Sequence, residues 1–263
     1  MGIVNVTPDS FSDAGEHASE SAALAHCERL LQEGAELLDI GGESSRPGAA
    51  RVSAAVELAR VLPVLQGAIK LGVPVSVDTC KPEVMRAALD MGADIVNDIR
   101  ALRAQGALKV VAGHQTCGLC LMHMQGEPGS MQDAPQYRDV VAEVAAFLAE
   151  RAAAVRAAGV AAERIVVDPG IGFGKSPEHN LALLARQREL LALGYPVLLG
   201  WSRKSTLGSV TGKPVRERLA ASLAAALAAV EHGARILRVH DVAATVDALK
   251  VWRAAGMATS VAA

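Results

Sequence analysis

Short apolar runs alternate with longer amphipathic segments along almost all of the 263 residues of this chain. The apolar runs are continuous and only a few residues long, which is typical of strands that are buried on both faces of a parallel sheet. The predicted strands are Ile3–Val6, Leu37–Ile40, Pro74–Val77, Ile95–Asn97, Gly118–Met122, Ile165–Val167, Pro196–Leu199 and Ile236–Val239.

Amphipathic segments separate these strands, and most of them stop at a glycine, the residue that most readily ends a helix in a left-handed conformation. The predicted helices are Ser21–Gly34, Ser53–Leu71, Pro82–Met91, Gln105–Ala112, Val140–Ala158, Pro177–Leu193, Val215–His232 and Val242–Ala255. Eight strand–helix units match a (β/α)8 barrel, whereas a doubly wound sheet of about six strands would leave two units unused. No linker-like tract divides the chain, so the sequence predicts an α/β fold, a single TIM-barrel domain over residues 1–263.

Charge and composition exclude several classes of partner. The formal net charge is −2 and aromatic residues make up 3% of the chain, so neither electrostatic attraction nor base stacking favours a nucleic-acid partner. No apolar run reaches the roughly 18 residues of a membrane span, and no signal-peptide pattern is recognisable, so we expect no membrane association. The four cysteines are too few for a disulfide framework in a chain of this size, which favours the reducing cytoplasm.

Unusual polar residues stand where the predicted strands end, which is the end of a (β/α)8 barrel that carries chemistry. A single aspartate at such a position often caps the next helix, and Asp241, just before Val242, is expected to be such a cap. Polar strand ends that converge on one rim from all around a barrel indicate an active site instead. The residues concerned are Asn5, Ser45, Asp78, Asn97, Asp168, Lys204, Arg238 and His240.

These residues divide into two sets. Arg238 and His240 are two residues apart at the end of the last predicted strand, so they are expected to point to the same face. Asn5 and Ser45 add further donors for an anion, and phosphate groups commonly bind near strands 7 and 8 of such barrels. Carboxylates on the opposite side suit general acid–base chemistry, or recognition of adjacent N–H and NH2 groups such as those of an aminopyrimidinone ring. That second set consists of Asp78, Asn97, Asp168 and Lys204.

Motifs along the chain resemble those of the dihydropteroate synthase family, from Gly2 to about Lys250. The matching strings are GIVNVTPDSFSDAG, DIGGESSRPG, SVDT, VNDI, LMHMQG, DPGIGFGK, SRKS and RVHDV. The resemblance implies a pterin-binding TIM barrel that joins 6-hydroxymethyl-7,8-dihydropterin diphosphate to 4-aminobenzoate, giving 7,8-dihydropteroate and diphosphate. It also implies a Mg2+ cofactor and a homodimer, for which the alanine-rich segment Leu219–Val230 is a candidate interface.

The resemblance implies roles for individual residues. For the pterin these are Asp78, Asn97, Met122, Asp168 and Lys204; for the diphosphate, Asn5, Ser45, Arg238 and His240; for 4-aminobenzoate, Phe11, Arg46, Pro47, Phe173 and Ser205. Asn5 would also contact Mg2+, and the catalytic residues would be Asp78, Lys204, Arg238 and His240. We expect diphosphate to leave first, producing a resonance-stabilised cation that the amine then attacks, with electrostatic stabilisation of both charges.

Two departures from the family pattern bear on the 4-aminobenzoate pocket and on the sulfonamides that compete for it. Ser45 replaces the usual threonine, and Ala14 replaces a glycine of the first loop. Two other functions stay open. A pterin-binding methyltransferase should lack both the Arg-x-His pair and the SRKS string. A catalytically silent pterin-binding barrel should have lost Asp78, Lys204 or Arg238.

Overall fold

Eight parallel strands form one sheet in which each strand pairs with the next along the chain. The structure, a computed structural model, describes residues 1–7, 16–44, 51–127 and 129–257, and of residues 16–19 the backbone alone. The sheet closes on itself, because Ile3 N–H donates to the Val239 carbonyl (3.1 Å) and Val239 N–H donates to the Met1 carbonyl (3.0 Å). The predicted (β/α)8 barrel is therefore confirmed. Its strands are β1 Gly2–Asn5, β2 Leu38–Gly41, β3 Val75–Asp78, β4 Ile95–Asp98, β5 Gly118–Met122, β6 Ile165–Asp168, β7 Val197–Leu199 and β8 Ala234–Leu237.

Side chains alternate along each strand between the outer face of the barrel, which packs against the helices, and the inner face, which carries the polar site residues. Outward-facing residues such as Ile40, Val77 and Leu121 are buried against the helices in the main hydrophobic core. Inward-facing positions carry the polar groups: Asp78 pairs in register with Asn97, so both side chains lie on the same face of the sheet at the same level. The sheet therefore delivers polar side chains from different strands to one end of the barrel.

Helices cover the outside of the barrel. They are α1 Glu16–Gln32, α2 Ala54–Ala68, α3 Pro82–Met91, α4 Ala107–Gly113, α5 Val140–Ala157, α6 Pro177–Ala185, α7 Ser205–Thr211, α8 Leu219–Glu231 and α9 Val242–Ala254. Short 3₁₀ segments, at Ile69–Leu71, Ala162–Arg164, Gln187–Leu193 and Val215–Glu217, supplement them. None of the helices in the described ranges is both long and apolar enough to cross a membrane.

Three predicted helices are wrong in their extent. The helix predicted over Ser21–Gly34 begins earlier, at Glu16, and ends at Gln32. The segment Pro177–Leu193 divides at Arg186, because the buried Gln187 side chain turns to donate to the Ala229 carbonyl (2.9 Å) and a 3₁₀ segment follows. The segment Val215–His232 becomes α-helical only at Leu219. There Arg218 leaves the helical path, and its guanidinium donates back to the carbonyls of Lys213 and Arg203 (3.0 and 3.2 Å).

The expected helix cap at Asp241 is also wrong in its bonding. Asp241 occupies the N-cap position of α9, but its side chain makes no capping hydrogen bond. Its carboxylate instead accepts two hydrogen bonds from Arg203, at 3.0 and 2.5 Å. The two charge-assisted bonds of a bidentate pair with a guanidinium are stronger together than a single capping bond from a backbone N–H, so Arg203 takes the carboxylate. The single domain over residues 1–263 stays a prediction, since parts of the chain lie outside the described ranges.

Candidate active site

The predicted site residues that the structure describes lie around the carboxyl end of the barrel. Five of them end or nearly end strands: Asn5, Asp78, Asn97, Met122 and Asp168. Lys204 directly precedes α7, Ser205 begins it, Phe173 lies between β6 and α6, and both Arg238 and His240 follow β8. The remaining four, Phe11, Ser45, Arg46 and Pro47, lie outside the described residues.

Arg238 joins the two sets of residues that we expected on opposite sides of the rim. Its Nε donates to Asp39 Oδ2 (2.6 Å), and its Nη2 donates to Asp78 Oδ2 (2.8 Å). The expected separation is therefore wrong. The physical reason is that a carboxylate as buried as that of Asp39, with a side-chain exposure of 0%, requires a positive partner, and the long arginine side chain reaches it.

Asp39 is a residue of this site to which sequence reasoning assigned no role. The same oxygen that binds Arg238 also accepts a hydrogen bond from Asn97 Nδ2 at 3.2 Å. A signal was available in the sequence. Asp39 stands alone between the apolar residues Leu38 and Ile40, and a charged residue inside a buried strand implies a partner across the barrel.

The surroundings of Asp78 raise the pKa of its carboxyl group. Burial raises the pKa of Asp78 to about 7, although the adjacent Arg238 guanidinium acts in the opposite direction. The carboxylates of Asp39, Glu57 and Asp98 add to the increase in that pKa. A carboxyl group whose pKa is raised this far by burial and by neighbouring carboxylates is typical of functional sites.

Open space reaches Asp78 from the side of the loops after β2, β3 and β4. A cavity of about 210 Å³ lies there, lined in part by Thr79, Ile99 and Arg100. Its wall also contains Lys81, whose ammonium group bridges the carboxylates of Glu43 and Glu57. The cavity gives a small molecule access to the Asp78 carboxylate.

Lys204 and Phe173 form a second wall of the site. Lys204 Nζ lies 4.3 Å from the centroid of the Phe173 ring, within the range of a cation–π interaction. Burial lowers the pKa of Lys204 to about 8, and the Asp168 carboxylate partly opposes that decrease. Met122 packs in a small apolar cluster against which Phe173 and Ile99 also pack, so an apolar surface adjoins these charged groups.

Asp168 is held by the glycine-rich loop that follows it. Its Oδ1 accepts a hydrogen bond from Gly170 N–H at 2.7 Å, and burial raises the pKa of the carboxyl group. Gly170 has φ +70° and lies so close to His123 that a Cβ atom there would be 1.9 Å from the His123 carbonyl oxygen. Glycine is therefore required at this position both for its conformation and for the available space.

Two buried side chains tie this loop to its surroundings. Lys175 Nζ donates to the carbonyls of Gly170 and Phe173, each at 3.0 Å, and lies 2.9 Å from His123 Nδ1. Burial lowers the pKa of Lys175 to about 7. Asn180 accepts a hydrogen bond from Gly172 N–H (2.8 Å) and donates to Thr206 Oγ1 (3.0 Å), so it connects the loop to α7.

Sequence reasoning missed these tethers. Lys175 stands in the string DPGIGFGK, but nothing local distinguishes a buried lysine from an exposed one. Asn180 lies on a predicted helix without any signal. Both residues form hydrogen bonds with backbone groups of the loop after β6. The shape of that loop depends on the tertiary structure, so no local sequence pattern predicts these bonds.

His240 is oriented by Ser202 at the end of the barrel near β7. Ser202 Oγ accepts a hydrogen bond from the His240 backbone N–H (3.1 Å) and lies 3.0 Å from His240 Nδ1. Within the described ranges, no group of three or more His, Cys, Asp or Glu side chains is arranged to hold a metal ion. The protein donors near the predicted anion pocket are therefore a histidine, a guanidinium and the Asn5 amide rather than a carboxylate cage.

Comparison with known proteins agrees with this geometry. Residues 1–240 match the family described as pterin binding enzyme. The chain is 54% identical over 263 residues to dihydropteroate synthase of Neisseria meningitidis serogroup B, with 98% of this chain and 92% of that protein covered.

Two solved structures of Xanthomonas albilineans dihydropteroate synthase are also similar. The one with 4-aminobenzoic acid has a TM-score of 0.92 and 55% identity, covering 97% of this chain and 92% of that one. The one in complex with 7,8-dihydropteroate has a TM-score of 0.88 and 52% identity, with the same coverage. The resemblance predicted from the motifs is confirmed, and the chain belongs to the dihydropteroate synthase family of pterin-binding enzymes.

Proposed function

We propose that this barrel carries out the dihydropteroate synthase reaction by dissociative loss of diphosphate followed by attack of the amine. The enzyme is a transferase of folate biosynthesis, which condenses 6-hydroxymethyl-7,8-dihydropterin diphosphate with 4-aminobenzoate to give 7,8-dihydropteroate and diphosphate. The observation that carries the proposed mechanism is the meeting of Asp78 with Arg238 at the rim. It places a carboxylate suited to a developing cation beside a guanidinium suited to a departing anion.

Recognition of the pterin ring is assigned to the buried polar groups next to this pair. The Asp168 carboxylate would accept hydrogen bonds from the ring N–H and NH2 groups, a bidentate and charge-assisted arrangement. Lys204 would donate to the ring oxygen, and Asn97 would contact the ring edge. Met122, which belongs to a small apolar cluster, would supply an apolar surface for one face of the ring.

In the chemical step, the bond between the pterin CH2 carbon and the diphosphate oxygen breaks, and the electron pair leaves with diphosphate. The ionised Asp78 stabilises the positive charge that remains on the pterin, while Arg238 and His240 stabilise the leaving charge. The aniline nitrogen then attacks the CH2 carbon and loses a proton. Because an aniline is nucleophilic without a strong base, positioning supplies much of the remaining rate advantage.

The expected Mg2+ fits the residues at the end of β1. Asn5 offers an amide oxygen, and its side chain has no hydrogen-bond partner among the described residues. Mg2+ is typically held by one or two protein oxygens together with substrate phosphates, so a single amide is compatible with it. When bound, the ion supplies additional neutralisation of the leaving diphosphate. Ser45 would complete the diphosphate pocket but lies outside the described residues.

The described part of the proposed 4-aminobenzoate pocket consists of Phe173 and Ser205. Phe173 lies beside Lys204, and Ser205 is the first residue of α7, so both are next to the pterin-binding groups. Phe11, Arg46 and Pro47, the other residues assigned to this pocket, lie outside the described residues.

The reaction can be tested by following diphosphate release with and without 4-aminobenzoate. We expect sustained release to require 4-aminobenzoate and to match the formation of dihydropteroate, whereas without it at most about one equivalent of diphosphate per enzyme should be released, because diphosphate leaves before the amine attacks. Asp168→Asn should lower kcat/KM about 100-fold, because the loss of a charged acceptor costs about 3 kcal/mol when two hydrogen bonds depend on it. A methyltransferase would release no diphosphate, and a silent barrel would bind the pterin without turnover; either result would contradict the proposal.

We also propose that the chain forms a homodimer and acts in the cytoplasm. Val210 and Leu219, on α7 and α8, are exposed large apolar side chains on the side of the barrel where we predicted an interface. Sedimentation at micromolar concentration should give twice the mass of the chain, and Leu219→Asp should shift it toward the monomer. A monomeric parent protein would contradict the dimer. All four cysteines are free, which is compatible with the proposed reducing compartment.

A further inference from the structure

Asp39 connects three strands of the barrel through one oxygen atom. It lies on β2 with a fully buried side chain, and its Oδ2 accepts hydrogen bonds from Arg238 Nε, beyond β8, and from Asn97 Nδ2, on β4. Asp39 and Asn97 are buried, whereas the Arg238 side chain is 21% exposed and reaches Asp39 from the rim of the barrel. The carboxylate therefore lies directly behind two groups that the proposed reaction uses.

The geometry of the arginine makes this contact directional. The Nε atom binds Asp39 at 2.6 Å while Nη2 binds Asp78 at 2.8 Å. Two hydrogen bonds from different atoms of a planar guanidinium determine the orientation of its plane, which a single contact would leave variable. The contact with Asp39 thus helps to determine how the Arg238 guanidinium is oriented toward the proposed diphosphate pocket.

We propose that Asp39 is a positioning residue that orients Arg238 and Asn97 and whose negative charge moderates the attraction of Arg238 for diphosphate. This inference rests on the proposed function, because it assigns Arg238 to the diphosphate. Asp39 and Asp78 together carry two negative charges against one guanidinium, so the trio holds a net charge of −1 when both are ionised. A site that must release diphosphate after each turnover benefits from an arginine whose charge is partly compensated.

The same charge acts on Asp78. The charged groups that face Asp78 are Arg238 after β8, Asp39 on β2, Glu57 on α2, Asp98 on β4 and Lys204 before α7. Removing the charge of Asp39 removes one of the carboxylates that raise the pKa of Asp78. That pKa should then fall below its value of about 7, so that Asp78 stays ionised at lower pH.

Two substitutions separate position from charge. Asp39→Asn keeps an oxygen acceptor for Arg238 and Asn97 and removes the charge. Its new NH2 group can take the place of Oδ1, which has no protein hydrogen-bond partner in the described part of the chain. Ser76 is the register partner of Asp39 on β3, and its Oγ is likewise without a hydrogen-bond partner there. Asp39→Ala removes the same charge and the acceptor as well. Ser76→Ala is the control for a neighbouring inward-facing residue whose hydroxyl forms no hydrogen bond with Arg238 or Asn97.

The experiment measures diphosphate binding by calorimetry on the full chain, and the titration of Asp78 by carboxyl NMR. We expect Asp39→Asn to bind diphosphate several-fold more tightly than the parent protein and to titrate Asp78 at a pH lower by roughly half a unit or more. We expect Asp39→Ala to bind diphosphate more weakly than Asp39→Asn, since its arginine is no longer oriented. Ser76→Ala should match the parent protein in both measurements.

Equal diphosphate affinity in Asp39→Asn and the parent protein, together with an unchanged Asp78 titration, would overturn the proposal. So would equal affinities of the asparagine and alanine variants, because position would then have no effect. If Asp39→Ala does not fold, the comparison of Asp39→Asn with the parent protein decides alone. Neither readout depends on turnover, so a failure of the proposed reaction would be seen separately, as the absence of dihydropteroate.

Discussion

Replacing Arg238 with methionine is expected to lower the free energy of unfolding by about 3 kcal/mol at pH 8 and to remove measurable synthase activity. The reason for the stability loss is that Asp39 and Asp78 would be left in the barrel interior without their cation. Breaking a buried ion pair from one side leaves an uncompensated charge, which costs far more than losing an exposed pair. Activity should disappear because the same guanidinium is assigned to the leaving diphosphate.

The stability loss should depend on pH in a defined direction. Arg238 acts against the increase in the pKa of Asp78, so its removal should raise that pKa further above about 7. An unfolded aspartate has a pKa of about 3.9, so above that pH the folded variant binds a proton that the unfolded chain lacks. Its stability should therefore continue to fall as the pH rises above 7, whereas below pH 7 Asp78 is protonated in both proteins and their difference is smaller.

Urea denaturation at pH 6 and pH 8 measures both effects. Arg186→Met is the matched control, because Arg186 also binds two carboxylates, those of Asp139 and Glu189, but with a side-chain exposure of 43%. Its loss should cost at most about 1 kcal/mol. Adding Asp39→Asn to the Arg238 variant should restore part of the stability. Equal losses for the two arginine variants would show that the buried trio does not depend on Arg238.

Replacing Gly170 with alanine is expected to cost about 3 kcal/mol of stability or more and to weaken pterin binding. The new Cβ atom would lie 1.9 Å from the His123 carbonyl oxygen, a backbone atom that cannot move by itself. The residue also has φ +70°, where a side chain adds about 1–2 kcal/mol of strain. Any shift that relieves the overlap moves Gly170 N–H away from the Asp168 carboxylate, which links the stability loss to the site.

Two other glycines provide graded controls for this prediction. Gly159 has φ +93° with no other atom within 4 Å of an added Cβ, so alanine there should cost only the strain, about 1 kcal/mol, and leave activity unchanged. Gly172 has φ +81°, and its Cβ would lie 3.2 Å from Lys204 Cδ, so alanine there should change the KM for the pterin more than the stability. Thermal unfolding and initial rates distinguish the three variants. A Gly170 variant as stable as the Gly159 variant would refute the steric argument.

The barrel itself could be predicted because its signals are local. The predicted bounds of the strand Gly118–Met122 and of the helix Pro82–Met91 are those of the structure. The strand is marked by a run of apolar residues, and the helix by a proline at its first position and a glycine directly after its last, so both signals come from residues adjacent in the sequence. The division of the segment Pro177–Leu193 was not predictable in this way. It depends on a hydrogen bond from Gln187 to the backbone of α8, which lies 42 residues further along the chain.

Strand periodicity and chain order are enough to predict that Asp78, Asn97, Asp168, Lys204 and Arg238 lie at the strand ends of an eight-unit barrel, because they decide which residues reach the rim. Which of these side chains bind each other depends on how the closed barrel folds. Arg238 is separated from Asp39 by 199 residues and from Asp78 by 160, and no local pattern encodes which carboxylate a guanidinium will reach. The pairing with Arg238 follows from the burial of Asp39, because closure of the barrel removes the aspartate charge from water. Among the described residues, Arg238 is the cation that forms an ion pair with it.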